Sequence, residues 1–257
     1  MNFNEIYEKS LMDAQATHIK SSNFSSKPIM TTGIISPEST ICIQPMFDIK
    51  FRLDKDGMNN VIEMFENKWN MKTESERKNL LSVLTDVYSI TEEYIGGHGN
   101  SATRQEAYFQ ATDNRLDLSQ IKGKNIGLCA ERAAIGHQLL SILERAGITN
   151  FESFFTNSHI TINTREPHSF IVLKHKKDAS KQYIFDIENP LEYKESEDSE
   201  PKLGIALYPM TEEEYQAFKT GKSISPQSIY EQFGMQVVGA KRFYGDEEYS
   251  RKQEMER

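Results

Sequence analysis

Residues 128–146 set the strongest constraint on how this chain can fold. Cys129-Ala-Glu-Arg-Ala-Ala-Ile-Gly-His-Gln-Leu-Leu continues through Ile142 and Leu143 with helical spacing. Ala133, Gly136, Leu140 and Leu143 line one face, and Ile135, Leu139 and Ile142 line an adjacent one. A helix with so few polar positions must be covered over most of its surface, so a sheet or further helices have to pack around it. Ala146-Gly147-Ile148 forms its stop, with glycine in the left-handed cap and the isoleucine folding back.

The partners for that helix follow it. Phe151–Thr156, His168–Lys174 and Gln182–Ile187 are rich in β-branched and aromatic residues, and the turn-like Lys176–Lys181 joins the last two as a hairpin. Acidic residues from Glu188 to Lys202 read as an exposed loop. Ile205–Tyr208 reads as a strand, and Thr211-Glu-Glu-Glu214 is a capping box opening a short helix. Ser225-Pro226 opens another helix, and Gln236–Tyr244 reads as a final strand.

The first half of the chain carries a different pattern. A short helix is expected from about Asn4 to Lys20, then a loop rich in Ser, Thr and Pro from Ser21 to Ser39. Ile41–Leu53 suggests strand interrupted at Pro45, with Cys42 in it as a buried small hydrophobe. Gly57–Tyr94 has helical spacing in two pieces, ended by Gly96-Gly-His-Gly99. The expected organisation is a mainly helical extension over 1–110 with an irregular segment at 21–40, an α+β core over 111–250 and a charged tail over 251–257.

Bulk properties exclude several functions. A net charge of −8 argues against a nucleic-acid surface, which needs clustered Lys and Arg. No run approaches the ~18 apolar residues of a membrane span. Two cysteines cannot build a disulfide framework and fit a reducing compartment or a catalytic thiol. The N-terminus has neither a basic n-region nor an apolar h-region, so the expected location is the cytoplasm, or outside the cell by an export route that needs no cleavable signal peptide. No Cys/His cluster has metal-ligand spacing, so no metal or organic cofactor is expected.

Cys129 opens the apolar helix, where main-chain N–H groups and the helix dipole favour negative charge on sulfur. The same N–H groups can receive an oxyanion. Gly127 is expected to let a substrate backbone approach, and Asn125 is a guess as a side-chain donor. Of the six histidines, His137 is rotated away on the same helix, while His18 and His98 have no strand framework. His175 points to the other sheet face from His168. That leaves His168 as the base, with His159 as its rival. Folding the hairpin about residue 177 or 178 brings Asp186 within a residue or so of the position opposite His168. An aspartate between Phe185 and Ile187 calls for a partner, and orienting the imidazole supplies one. Glu188 and Asn189 are substitutes if the register slips.

From Gly-Leu-Cys129-Ala-Glu-Arg-Ala through Phe185-Asp-Ile-Glu-Asn-Pro190, the chain resembles the transglutaminase-like (papain-like) superfamily of cysteine enzymes. Cys129 matches the family cysteine and His168-Ser-Phe-Ile-Val-Leu its histidine strand, with serine where alanine is common. Asp186 matches the family aspartate, although Ile-Glu-Asn stands between it and the proline. The resemblance covers under a third of the chain. It implies an α+β core with a nucleophile-bearing helix on an antiparallel sheet, and Cys129, His168 and Asp186 as a triad. Leaderless bacterial effectors also occur among its members.

The expected activity is acyl transfer on protein or peptide amides through a thioester, as a peptidase, glutamine deamidase or transglutaminase. One alternative is a non-catalytic module of the same type that binds proteins. Another is an acyltransferase using a coenzyme A thioester, for which only Lys122 and Lys124 hint at a phosphate pocket.

Overall fold

The structure is a computed structural model describing residues 2–20, 27–44, 47–97, 99, 101–158 and 168–240. The rival base His159, the loop residue His98 and the tail over 251–257 lie outside the described residues.

The N-terminal half begins with helix α1 (Phe3–Leu11), capped by the Asn2 side chain on the Glu5 N–H. The helix expected to reach Lys20 ends at Leu11, and His18–Ile19 instead form strand β1. Strand β2 (Ile29–Thr32) lies within the stretch read as irregular. Then come β3 (Thr40–Gln44) and β4 (Ile49–Arg52), either side of Pro45. Helices α2 (Lys55–Asn70), α3 (Glu74–Lys78) and α4 (Leu80–Ile95) follow. Helix α4 stops at Gly96, which takes φ 92°, the left-handed conformation that glycine tolerates best. Beyond it are α5 (Ser101–Gln110), β5 (Arg115–Asp117) and the short α6 (Leu118–Ile121).

The second half opens with α7 (Cys129–Arg145), then β6 (Phe151–Ser158), β7 (His168–His175), β8 (Gln182–Lys194) and β9 (Lys202–Met210). It closes with α8 (Glu212–Lys219), α9 (Ile229–Gln232) and β10 (Gln236–Ala240). Strand β8 runs seven residues past Ile187, so the acidic stretch after Glu188 is half strand. Buried Leu191 explains this, because it alternates with charged Glu192 and gives the sheet an inward face to cover. The helix expected from Ser225-Pro226 begins only at Ile229, capped by Ser228.

The chain is α+β, with two sheets among the described residues. In the smaller, the order is β1-β3-β4-β5, with β3 and β4 antiparallel and the outer pairs parallel. The larger has the order β10-β8-β7-β6-β2, with β9 also pairing β8, and every pairing in it is antiparallel. Helix α7 packs on β6, β7 and β8, and α4 and α1 cover its other sides. Every residue from Ala130 to Leu143 is buried, as the apolar pattern requires. A Cβ at Gly136 would sit 2.7 Å from Ile187 Cδ1 and 2.9 Å from Ile171 Cδ1, so glycine sets how closely the helix approaches the sheet. That spacing positions the helix start beside β7 and β8.

Candidate active site

The site is built at the first turn of α7. Leu128 is the N-cap residue, and Cys129 is the first residue with helical geometry. A helix start leaves its first N–H groups without intrahelical partners, so they face whatever lies over the sulfur. Leucine cannot cap them. Glu131 supplies half of a capping box instead, its Oε2 accepting from the Leu128 N–H at 3.2 Å.

Glu131 is fully buried and held from three more directions. Arg104 donates from Nε at 2.7 Å and from Nη2 at 3.1 Å, and the Tyr108 hydroxyl donates at 2.8 Å. Both donors come from α5, a helix that the sequence reading passed over. Burial alone would lower the Arg104 pKa, but the Glu131 charge outweighs it and the guanidinium stays ionised. Burial and the same carboxylate push the Tyr108 phenol well up, so it remains a donor. One residue on, Arg132 bonds the carbonyls of Gly127 and Gly97 and pairs with Glu92. The sequence signal was available: two adjacent charges in an otherwise apolar helix need buried partners.

The turn before Cys129 is clamped to the end of α4. Gly123 and Asn125 donate N–H groups to the carbonyls of Tyr94 and Ile95, both at 2.9 Å. Gly127 does not open a substrate path as expected, because a Cβ there would meet Ile95 Cδ1 at 2.7 Å. Its lack of a side chain serves close packing. Asn125, with φ 55°, holds its side-chain oxygen beside Gly96.

His168 opens β7, across from Ser158 on β6. Its Nε2 lies 2.8 Å from Asp186 Oδ2 on β8. The Asp186 carboxylate is itself fixed. Oδ1 accepts from the backbone N–H groups of Glu188 at 3.0 Å and Asn189 at 3.3 Å, and Oδ2 accepts from Asn189 Nδ2 at 2.9 Å. A bulge explains these contacts. Against β9, Asp186 pairs with Ala206 but Leu191 pairs with Gly204, so β8 carries extra residues that curl back over the carboxylate. Pro190 sits in that bulge, where a missing ladder donor does least harm.

The charges reinforce one another. Burial works against the His168 imidazolium, but the charge and hydrogen bond of Asp186, helped by Cys129, raise its pKa well above the ordinary value. Burial likewise works against the Asp186 carboxylate, and His168 with the surrounding donors lowers its pKa overall. The two side chains keep 13% and 14% of their exposure, enough for a small group to reach the ring.

Cys129, His168 and Glu188 converge: one ligand atom from each lies within 4.8 Å of the other two. Glu188 is buried, and its Oε2 is 3.9 Å from His168 Nδ1, on the ring edge opposite Asp186. The helix start, the strand start and the bulged strand thus bring a thiol, an imidazole and two carboxylates together. Such a cluster can act as a Cys-His-acid triad or grip a thiophilic cation.

The remaining described histidines lie elsewhere. His137 is buried between the Gly33 carbonyl (2.9 Å) and Ser153 Oγ (3.0 Å), and desolvation lowers its pKa to about 4. His18 is exposed and bonds Thr40, and His175 packs edge-on to Phe151. Cys42 is buried on β3. Among the described residues no helix is long and apolar enough to cross a membrane. No family model, no curated protein and no solved structure matches this chain.

Proposed function

We propose that this chain is a cysteine-nucleophile acyl-transfer enzyme acting on protein or peptide amide bonds, built on a transglutaminase-like core. The supporting observation is the 2.8 Å bond between His168 Nε2 and Asp186, on an imidazole with a nitrogen within 4.8 Å of the Cys129 sulfur. An imidazole held by a carboxylate at one nitrogen can exchange a proton at the other without rotating.

In this reading His168 and the start of α7 stabilise negative charge on the Cys129 sulfur. The sulfur attacks the amide carbonyl, and the N–H groups at the helix start receive the oxyanion. His168 then protonates the leaving amine, which departs to leave a thioester on Cys129. Next, His168 takes a proton from the incoming water or amine, whose attack releases the acyl group and restores the thiol. Asp186 keeps the ring oriented throughout. No step needs a cofactor.

Substrate trapping tests this reading. Candidate protein substrates are incubated with wild type, Cys129→Ala and Cys129→Ser, and their masses compared. Cleavage, a deamidation shift or cross-linking by wild type alone supports the reading and names the reaction. If no substrate is changed and Cys129 alkylates as slowly as Cys42, the non-catalytic binding module stands instead.

A further inference from the structure

We infer that Cys129, His168 and Glu188 form a site for a thiophilic divalent cation, Zn²⁺ in particular, and that the cation holds the nucleophile inactive. This assigns a regulatory ligand to the same cluster, and the inhibitory half rests on the enzymatic reading above.

Three ligand types with high affinity for zinc, a thiolate, an imidazole and a carboxylate, have atoms within 4.8 Å of one another. In a tetrahedral zinc site, bonds of roughly 2.0–2.3 Å put neighbouring ligand atoms about 3.3–3.8 Å apart. Closing the cluster therefore takes about 1 Å of side-chain movement, which the Glu188 and Cys129 side chains can supply by torsion.

The carboxylate that would back the histidine is already in place. Zinc-bound histidines usually donate their other ring N–H to a carboxylate, which fixes the tautomer and strengthens the ligand. His168 does so through Nε2 to Asp186, leaving Nδ1 on the edge that faces Glu188. Asp186 is in turn bonded by Asn189 and two backbone N–H groups, which fix the direction of its carboxylate.

Glu188 is the residue that separates this site from a bare triad. The proposed acyl transfer gives it no step, yet it is buried with Oε2 3.9 Å from His168 Nδ1. The chemistry also balances: Zn²⁺ takes up a thiolate sulfur and an unprotonated imidazole nitrogen, any proton that Cys129 and His168 hold there passes to solvent, and no electrons move. Three protein ligands leave a fourth position for water. Chain spacing could not reveal the site, because its ligands come from α7, β7 and β8.

The test uses the full chain, with alkylation of Cys129 by iodoacetamide followed by peptide mass spectrometry and Zn²⁺ binding followed by calorimetry. Micromolar Zn²⁺ should bind one per chain and slow Cys129 alkylation at least tenfold while leaving Cys42 unchanged. Mg²⁺ at the same concentration should do neither. Glu188→Gln, which keeps the side-chain shape, should weaken zinc about 10–100-fold, and Cys129→Ser should abolish one-to-one binding. Circular dichroism establishes that each variant is folded, and Asp186→Asn serves as a second variant, with about 10–100-fold weaker zinc expected. No zinc binding by wild type, or equal binding by wild type, Glu188→Gln and Cys129→Ser, overturns the proposal. The metal-free alkylation rate separately reports on the nucleophile, so failure of one reading is distinguishable from failure of the other.

Discussion

Asp186 reaches His168 diagonally across the β7–β8 ladder. Ile171 pairs with Phe185 and Lys174 with Gln182, so the same register carried to the start of β7 places Glu188 directly opposite His168. Asp186 lies two residues away on the same sheet face, and its carboxylate still approaches Nε2 at 2.8 Å. The diagonal leaves room for Glu188 at the other ring nitrogen. One imidazole thereby lies between two carboxylates.

If Asp186 is what keeps the imidazole charged, its removal should be visible in the ring itself. In Asp186→Asn, the His168 pKa should fall back towards its ordinary 6.5 from the raised wild-type value. NMR titration of the labelled ring measures this directly. Turnover on any identified substrate should drop by about a hundredfold or more, the size of a general acid–base contribution. An unchanged ring titration would mean that the hydrogen bond does not hold the charge.

Two histidines should bend the stability profile in opposite directions. His137 is buried neutral with a pKa of about 4, so between pH 6.5 and 4 the unfolded chain takes up a proton that the folded one refuses. Stability should fall by about 3 kcal/mol across that window as pH drops. His168 has a raised folded pKa, so its contribution is complete below pH 6.5 and is lost as pH rises through the raised value. Urea unfolding from pH 4 to 9 should show their joint contribution greatest near pH 6.5. His137→Gln should flatten the acid side and His168→Gln the alkaline side. Identical profiles for all three proteins would contradict both assignments.

Gly136→Ala should destabilise the fold although alanine is the better helix former. The added methyl meets Ile187 and Ile171 at under 3 Å, and overpacking of this kind costs about 1–3 kcal/mol. Pushing α7 from the sheet should also separate Cys129 from His168. A lower urea midpoint with slower Cys129 alkylation is the expected pair of results. A more stable protein would show that the isoleucines yield.

Glu131→Gln leaves the Arg104 guanidinium buried without its counter-charge. Breaking a buried pair in this way costs about 3–5 kcal/mol. Chemical denaturation should register the loss, and double substitution of Glu131→Gln with Arg104→Met should recover part of it. Additive losses in the double variant would mean that the two side chains act independently.

Much of this arrangement was legible in the chain. The burial of α7 follows from Ala133, Ile135, Leu139 and Leu143, and its end from Gly147, which takes φ 71°. The observed β7–β8 register centres the hairpin on residue 178, as the turn-like lysines suggested. The bulge after Asp186 was not legible, because local propensity does not record how many residues of β8 face each residue of β9. Nor was the anchoring of Glu131 by Arg104 and Tyr108, since α5 has a weak apolar face and is held by polar contacts instead. Strand β2 was missed for a similar reason. Ile29–Thr32 gains its order from pairing with β6, a partner more than a hundred residues away.

Alkylation of Cys129 across pH in wild type and His168→Ala, with Cys42 as the internal reference, tests the central claim most directly. In wild type, Cys129 should react much faster than Cys42 at neutral pH, and His168→Ala should bring it close to the Cys42 rate. Equal, slow labelling of both cysteines in wild type, or a Cys129 rate indifferent to His168, would contradict the assignment of Cys129 as a nucleophile activated by that histidine.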